Sequence, residues 1–399
     1  MRLSGLIISL LSFVLTHAQQ GVWRAELQRK DSNTIVFNFE WKKENGKPVW
    51  YIKNGEEKLR VSNITTKGDS FFVQMPVFES QFRFAITAGK LNGVWIKRGA
   101  AKSQSLAFTA SKNSYRFKAG TAATANISGR WSVSFKGANA SVGEFVQIGN
   151  KLTGTFLNAD GDYRFLEGIV TSDSLLLSGF DGGHCFLFKA IIKNDSTITN
   201  GQFYSAATSK ESWTAIKNSA AKVPEDKVAI FVKPGQEKLD FTFNDLQGKP
   251  VSINDARFKN KVVIIQLMGS WCPNCMDETA FLSDYYNRNK QRGIEIIALA
   301  YEYTTDWERS KKSLQKFQHN FNVQYPILNT GVTVSDSLRT QKTLPQITDI
   351  KSFPSSIIID KKGQIRKLDT NFNGPATGVH YVAYKKEFEE TINRLLKEK

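Results

Sequence analysis

Cysteine is scarce in this chain, three residues in 399, which excludes a small scaffold stapled by disulfides. The four histidines, His17, His184, His319 and His380, are scattered without a metal-ligand spacing. No glycine-rich phosphate or dinucleotide fingerprint is visible, so neither a metal nor another cofactor is expected. Long apolar runs are missing as well. Leu3–Leu15 falls short of the roughly 20 residues that a membrane-spanning helix needs. With Arg2 before it and Thr16-His17-Ala18 after it, this run reads as a secretion signal cut after Ala18. That predicts an exported protein of the periplasm or cell envelope, and the lack of a cysteine at the junction argues against a lipid anchor.

Acidic residues are in deficit: 54 Lys and Arg face 37 Asp and Glu, a formal charge of +17. The excess is uneven, with 27 basic against 16 acidic residues over 19–222 and 26 against 21 over 223–399. Such a balance suits contact with an anionic surface through the N-terminal half. There is no basic helix or nucleic-acid motif, and no nucleic-acid partner is expected.

The chain divides by texture. Residues 19–219 read as an all-β domain, an antiparallel barrel or sandwich, with short apolar or alternating runs such as Thr34–Trp41, Phe82–Ile86, Gly129–Phe135 and Cys185–Ala190. Asn45-Gly46, Asn54-Gly55, Asn92-Gly93 and Asp160-Gly161 supply hairpin dipeptides between them. A faint internal repeat runs through it. Gly21-Val22-Trp23 is echoed by Gly129-Arg130-Trp131, Gly68-Asp69-Ser70 by Ser172-Asp173-Ser174, and Asn92-Gly93 by Asn200-Gly201. Cys185 sits in such a run and reads as a buried strand residue. The aromatics and basic balance of this half would also allow a binding surface for a ligand, glycan or protein. Residues 220–237 read as a linker.

From 238 to 399 the texture is mixed α/β. Val262–Met268 is a strand covered on both faces, followed by a helix over 274–292 and a buried strand at Ile294–Tyr301. Thr305-x-x-Glu308 is a capping box for the next helix. A terminal hairpin (Ser355–Ile359, Gln364–Leu368) and an amphipathic helix over 381–397 close the order β–α–β–α–β–β–α. The segment 324–350 reads as an insertion near the active face.

Chemistry concentrates in Trp271-Cys272-Pro273-Asn274-Cys275. The strand delivers the first cysteine to a helix N-terminus, where free backbone N–H groups favour a thiolate, and the second follows one turn later. This is the arrangement of a dithiol/disulfide switch.

With Asp240-Phe241-Thr242-Phe243, Gly248-Lys249-Pro250, Lys261-Val262-Val263-Ile264 and Phe353-Pro354-Ser355-Ser356, the motif resembles the TlpA/ResA branch of thioredoxin-fold thiol–disulfide oxidoreductases over about 238–399. The resemblance implies a thioredoxin fold, Cys272 as attacking thiolate and Cys275 as buried resolving thiol. Trp271 would shield the sulfur and contact substrate, and Pro273 would help set the potential. Phe353-Pro354 would be the family's cis-proline turn, pairing with an extended substrate. Glu278 matches a carboxylate that tunes proton transfer in that branch. Gln266 stands six before Cys272, where thioredoxin carries a titratable aspartate. A peroxiredoxin would want threonine at Gly269.

The activity this implies is reduction of disulfides in envelope proteins, with a membrane-linked thiol donor re-reducing the pair. A disulfide oxidase or isomerase is the near alternative. A β-domain binding module regulated by the redox domain is the more distant one.

Overall fold

The computed structural model describes residues 19–137, 140–224, 228–370 and 372–398. The expected secretion signal lies outside them. Among the described residues, no helix is long and apolar enough to cross a membrane.

Two nine-stranded sheets build the N-terminal half. The first contains β1 (Gly21–Gln28), β2 (Thr34–Glu44), β3 (Lys47–Asn54), β4 (Glu57–Val61), β5 (Asn63–Lys67), β6 (Ser70–Gln74), β7 (Ser80–Thr87), β8 (Lys90–Arg98) and β9 (Ser103–Lys112). Neighbours in sequence pair antiparallel, and β1 also pairs with β9, curling the sheet back on itself. A seam remains where β4 and β5 meet, because no ladder joins them among the described residues.

The second contains β10 (Gly129–Phe135), β11 (Ala140–Ile148), β12 (Lys151–Asn158), β13 (Gly161–Asp162), β14 (Leu166–Thr171), β15 (Ser174–Phe180), β16 (Cys185–Asn194), β17 (Thr197–Ser205) and β18 (Ser209–Lys217). Here β10 pairs with β18 and β11 with β12, so eight strands form a closed ring with β13 as a short appendage. Closure removes sheet edges that would otherwise invite pairing with other chains.

The sequence echoes fall on equivalent places. Trp23 and Trp131 sit in the first strand of each sheet, and each indole N–H donates to the carbonyl four residues earlier, Gln19 at 2.8 Å and Ile127 at 2.9 Å. Gly21 and Gly129 both have positive φ, +125° and +116°. Gly68 and Ser172 occupy the turns before β6 and β15. The two halves repeat one plan.

Asn92-Gly93 is not a turn. It lies inside β8, where a Cβ on Gly93 would stand 2.0 Å from the Arg83 carbonyl of β7, so the glycine permits close strand approach. Aromatics fill both barrel cores. Trp50 stacks on Phe39 at 4.0 Å and Phe156 on Phe188 at 4.5 Å, all fully buried. Cys185 is buried too, and burial pushes its thiol up to about 12, which leaves it unreactive.

The C-terminal sheet holds β19 (Thr242–Asp245), β20 (Pro250–Ser252), β21 (Val262–Met268), β22 (Ile294–Ala300), β23 (Ile327–Asn329), β24 (Ser355–Ile359) and β25 (Ile365–Asp369) in the order β20-β19-β23-β22-β21-β24-β25. Strands β21, β22 and β23 run parallel, while β24 and β25 run antiparallel at the edge. Four helices accompany them: α1 (Pro273–Asn289), α2 (Trp307–Asn320), α3 (Arg339–Thr343) and α4 (Val379–Lys397). This is a thioredoxin-like arrangement.

Every residue of β21 is buried, in keeping with its unbroken apolar run. Helix α1 packs on α4 through Phe281 and Phe388, whose ring centroids are 5.1 Å apart. Gly293 ends the α1 region with φ +91°.

Two further expectations need correction. Asp306, not Thr305, caps α2, accepting from Arg309 N at 2.7 Å. The start of the supposed insertion is a sheet strand: β23 is only three residues long, too short to show a period, yet it pairs with both β22 and β19. Ahead of the sheet, Ile230 joins the C-terminal core and Lys233 N donates to Gln346 O at 2.9 Å.

Candidate active site

Cys272 is the N-cap of α1, with Pro273 in the first turn where a missing N–H costs nothing. Its Sγ accepts the Cys275 backbone N–H at 3.2 Å and lies 3.4 Å from the Phe353 carbonyl. The Phe353-Pro354 bond is cis and leads into β24. Cys275 lies one turn inside the helix and is fully buried. Burial, followed by the adjacent Cys272 sulfur, pushes its thiol well above the usual range. Both cysteines are thiols. The dithiol is therefore bracketed by the helix N-terminus on one side and the cis-proline turn on the other.

Trp271 stacks on Tyr303 with centroids 5.2 Å apart, meets Phe353 edge-on at 5.8 Å, and donates its indole N–H to the Tyr301 carbonyl at 2.8 Å. The residues singled out by sequence thus converge: Trp271, Cys272, Pro273, Cys275, Phe353 and Pro354 share one locus.

Glu278 points into the core below them and is 1% exposed. It accepts from Ser356 Oγ at 2.8 Å on one oxygen and from Gln266 Nε2 at 2.8 Å on the other. Burial pushes its carboxyl up to about 7, although both hydrogen bonds act the other way. Gln266 also exchanges hydrogen bonds with Thr279. The strand position that cannot titrate instead holds the carboxylate that can.

Sequence reasoning missed a second buried carboxylate. Glu302, just beyond β22, accepts from Ser270 N at 2.8 Å and from Ser270 Oγ at 2.6 Å. Burial pushes it, too, up to about 7. It fastens the residue two before Cys272. An acid directly after the buried run Ile294–Tyr301 was the available signal.

Also missed was the reach of the β half into this locus, for which single-sequence patterns hold no signal. Asn274, between the two cysteines, donates from Nδ2 to the Asp162 carbonyl of β13 at 3.2 Å. Arg164 donates to both oxygens of Asp277, at 2.8 and 2.9 Å, and to Glu57 at 2.5 Å. Burial opposes its charge, but Asp277, Glu57 and Asp181 outweigh it and raise its pKa. On the other flank, Val77 and Phe78 belong to the same apolar cluster as Cys272. Arg309 of α2 donates to both oxygens of Glu79, at 3.0 and 2.6 Å, and Lys316 donates to the Phe78 carbonyl at 2.8 Å.

Among the described residues no group of three or more His, Cys, Asp or Glu side chains could hold a metal ion. The arrangement is suited to chemistry on sulfur.

Comparison with known proteins agrees. Residues 234–368 match the AhpC/TSA family. The thiol-disulfide oxidoreductase ResA of Bacillus thuringiensis subsp. konkukian is 28% identical over 142 residues, covering 35% of this chain and 69% of that protein. The C-terminal part is a ResA-like thioredoxin-fold domain. ResA of Bacillus subtilis is 24% identical over 139 residues, covering 35% of this chain and 68% of that protein. Among solved structures, the thioredoxin domain of a thiol-disulfide oxidoreductase from Bacteroides vulgatus is 24% identical, covering 39% of this chain and 95% of its own, with a TM-score of 0.28. The likeness to thiol–disulfide oxidoreductases is a property of this domain, and the AhpC/TSA match lies wholly within the C-terminal part.

Proposed function

We propose that the chain is an exported thiol–disulfide oxidoreductase that reduces disulfides of envelope proteins through Cys272 and Cys275. In this reading an all-β module (19–219) is joined through 220–237 to the redox module (238–399). The observation that carries it is the Cys272 sulfur held between the α1 N-terminus and the Phe353-Pro354 turn, with Cys275 buried one turn behind.

Cys272 thiolate attacks one sulfur of the substrate disulfide, forming a mixed disulfide and releasing the other sulfur as a thiolate. Cys275 then loses its proton and attacks Cys272, forming the Cys272–Cys275 disulfide and freeing the second substrate thiolate. Two electrons pass from the dithiol to the substrate. Glu278, three residues after Cys275 on the same helix and ionising near neutrality, takes the proton that Cys275 gives up. Phe353 and Pro354 present backbone to an extended substrate, and Trp271 covers the sulfur. A membrane-linked thiol donor returns the pair to the dithiol, and the basic β module meets anionic surfaces.

The test is the midpoint potential of the pair, by equilibration in thiol/disulfide buffers with thiol trapping. A value near or below about −250 mV supports reduction. One between about −180 and −120 mV would make the protein an oxidase or isomerase.

A further inference from the structure

We infer that the β module decides which disulfides reach Cys272, acting as a latched cover over the dithiol. This rests on exchange occurring at Cys272. An attacking sulfur must meet its target in line with the disulfide bond, yet the Cys272 residue is only 3% exposed. Next to it in the chain, Ser270 and Trp271 face Phe78 and Lys97 of the β side across a crevice of about 10 Å³, no larger than one water needs, so the two sides leave no room for a disulfide to enter between them at Trp271.

The module is seated from two flanks. On one, Val77 and Phe78 join the apolar cluster of the dithiol, while the loop that carries them is tied by Glu79–Arg309 and by Lys316 to the Phe78 carbonyl. On the other, the β12–β13 turn lies against the first turn of α1 so closely that a Cβ on Gly161 would stand 2.7 Å from Asn274 Oδ1. Asp162 and Arg164 then engage Asn274 and Asp277.

The character of this contact says it can part. Beside Val77 and Phe78 it carries ion pairs and hydrogen bonds, Glu79–Arg309, Arg164–Asp277 and Glu144–His380 among them, groups that water can satisfy again on separation. Polar interfaces between domains resemble transient ones, for which relative motion is the default. Glu79 and Arg309 sit at the margin, with side chains 25% and 12% exposed.

The specificity follows. A small disulfide cannot displace the module and meets Cys272 only in the fraction of molecules that are open. A protein substrate can compete for the same face. Phe78, Glu79 and Arg164 are accordingly specificity-determining residues, supplied by the β module to the redox site.

The experiment uses the full reduced chain and the small symmetric disulfide 5,5′-dithiobis(2-nitrobenzoate). Cys272 attacks it and releases one nitrothiobenzoate. Cys275 resolves the mixed disulfide and releases the second. The second-order rate is measured for wild type, Glu79→Arg, Arg309→Glu and the double charge swap. Each single reversal should raise the rate about tenfold or more by opening the latch, and the swap should return it toward wild type. Gly161→Ala, a wedge on the opposite flank, should also accelerate it.

Single reversals and the wedge that leave the rate within about twofold of wild type would overturn the cover. So would a swap that stays as fast as its parents, since general loosening is not repaired by restoring a pair. Loss of the exchange reading would look different. The first release would still report access to Cys272, but no Cys272–Cys275 disulfide would be trapped at the end.

Discussion

The first barrel and the ResA-like domain have apolar cores of different character. The first barrel's centre is aromatic: Trp50 lies against Phe39, Trp41, Phe82 and Phe84, all within 6 Å between ring centroids. The redox domain threads carboxylates through its interior, Glu278 beneath the dithiol and Glu302 beside it. Apolar burial is unconditional, whereas a buried carboxyl stabilises the fold only in one protonation state. The two carboxyls beside the dithiol therefore tie the stability of the redox domain to pH at the place where its proton-coupled chemistry is proposed.

The strongest way to break this comparison is to damage each core separately. Cys272→Ser should abolish disulfide exchange, with no turnover above background in an insulin-reduction assay, and leave folding stability nearly unchanged. Trp50→Ala should do the reverse. It should destabilise the barrel by about 3–5 kcal/mol in a denaturant melt while leaving the midpoint potential of the dithiol where it was. A shift in that potential with Trp50→Ala would mean that the two cores are one system.

The next effect is smaller and has a definite sign. Glu278 ionises at about 7 in the folded protein, above its ordinary 4.5, so the folded state keeps a proton that the unfolded chain releases. The stabilisation this brings is complete below about 4.5 and is lost as pH rises through about 7, to an extent of about 3 kcal/mol. Glu278→Gln should remove that component. The stability difference between variant and wild type, followed by urea melts from pH 5 to 8, should drift in the variant's favour as pH rises. A flat difference would place the proton elsewhere.

Smallest should be Glu302→Gln. The amide keeps an acceptor for Ser270 but cannot serve both of its donors equally, so a midpoint shift of about 10–30 mV is expected, with folding intact. Glu302→Ala should shift the potential further, and no shift in either would reduce Glu302 to a structural role.

What was readable beforehand follows the length of the pattern each element carries. Val262–Met268 announces itself by seven consecutive buried positions, and the dithiol by spacing alone. Strand β23 is invisible because three residues hold no period, and its place in the sheet comes from partners far away in sequence. In the β half, Thr34–Trp41 was clear, but β9 and β18 are largely serine, lysine and threonine on their outer faces and blurred into turns. Glu278 could be suspected from its position three after Cys275. Arg164 could not: it meets Asp277 across 113 residues of chain, and nothing local to Tyr163-Arg164-Phe165 speaks of a partner. Asp306 displaced Thr305 as cap because either side chain can fill that place and only the backbone path decides.

The seam in the first barrel gives the two repeats different ways of coming apart. The second barrel is a ring, and breathing there requires a ladder to break somewhere along eight paired strands. The first has two loose ends already, β4 and β5, with only Ser62 between them in the chain. Its sheet can peel inward from that line one strand at a time, like a scroll, while the ring next to it holds. Two copies of one plan thus differ in grain: one frays from an edge, and the other must be cut.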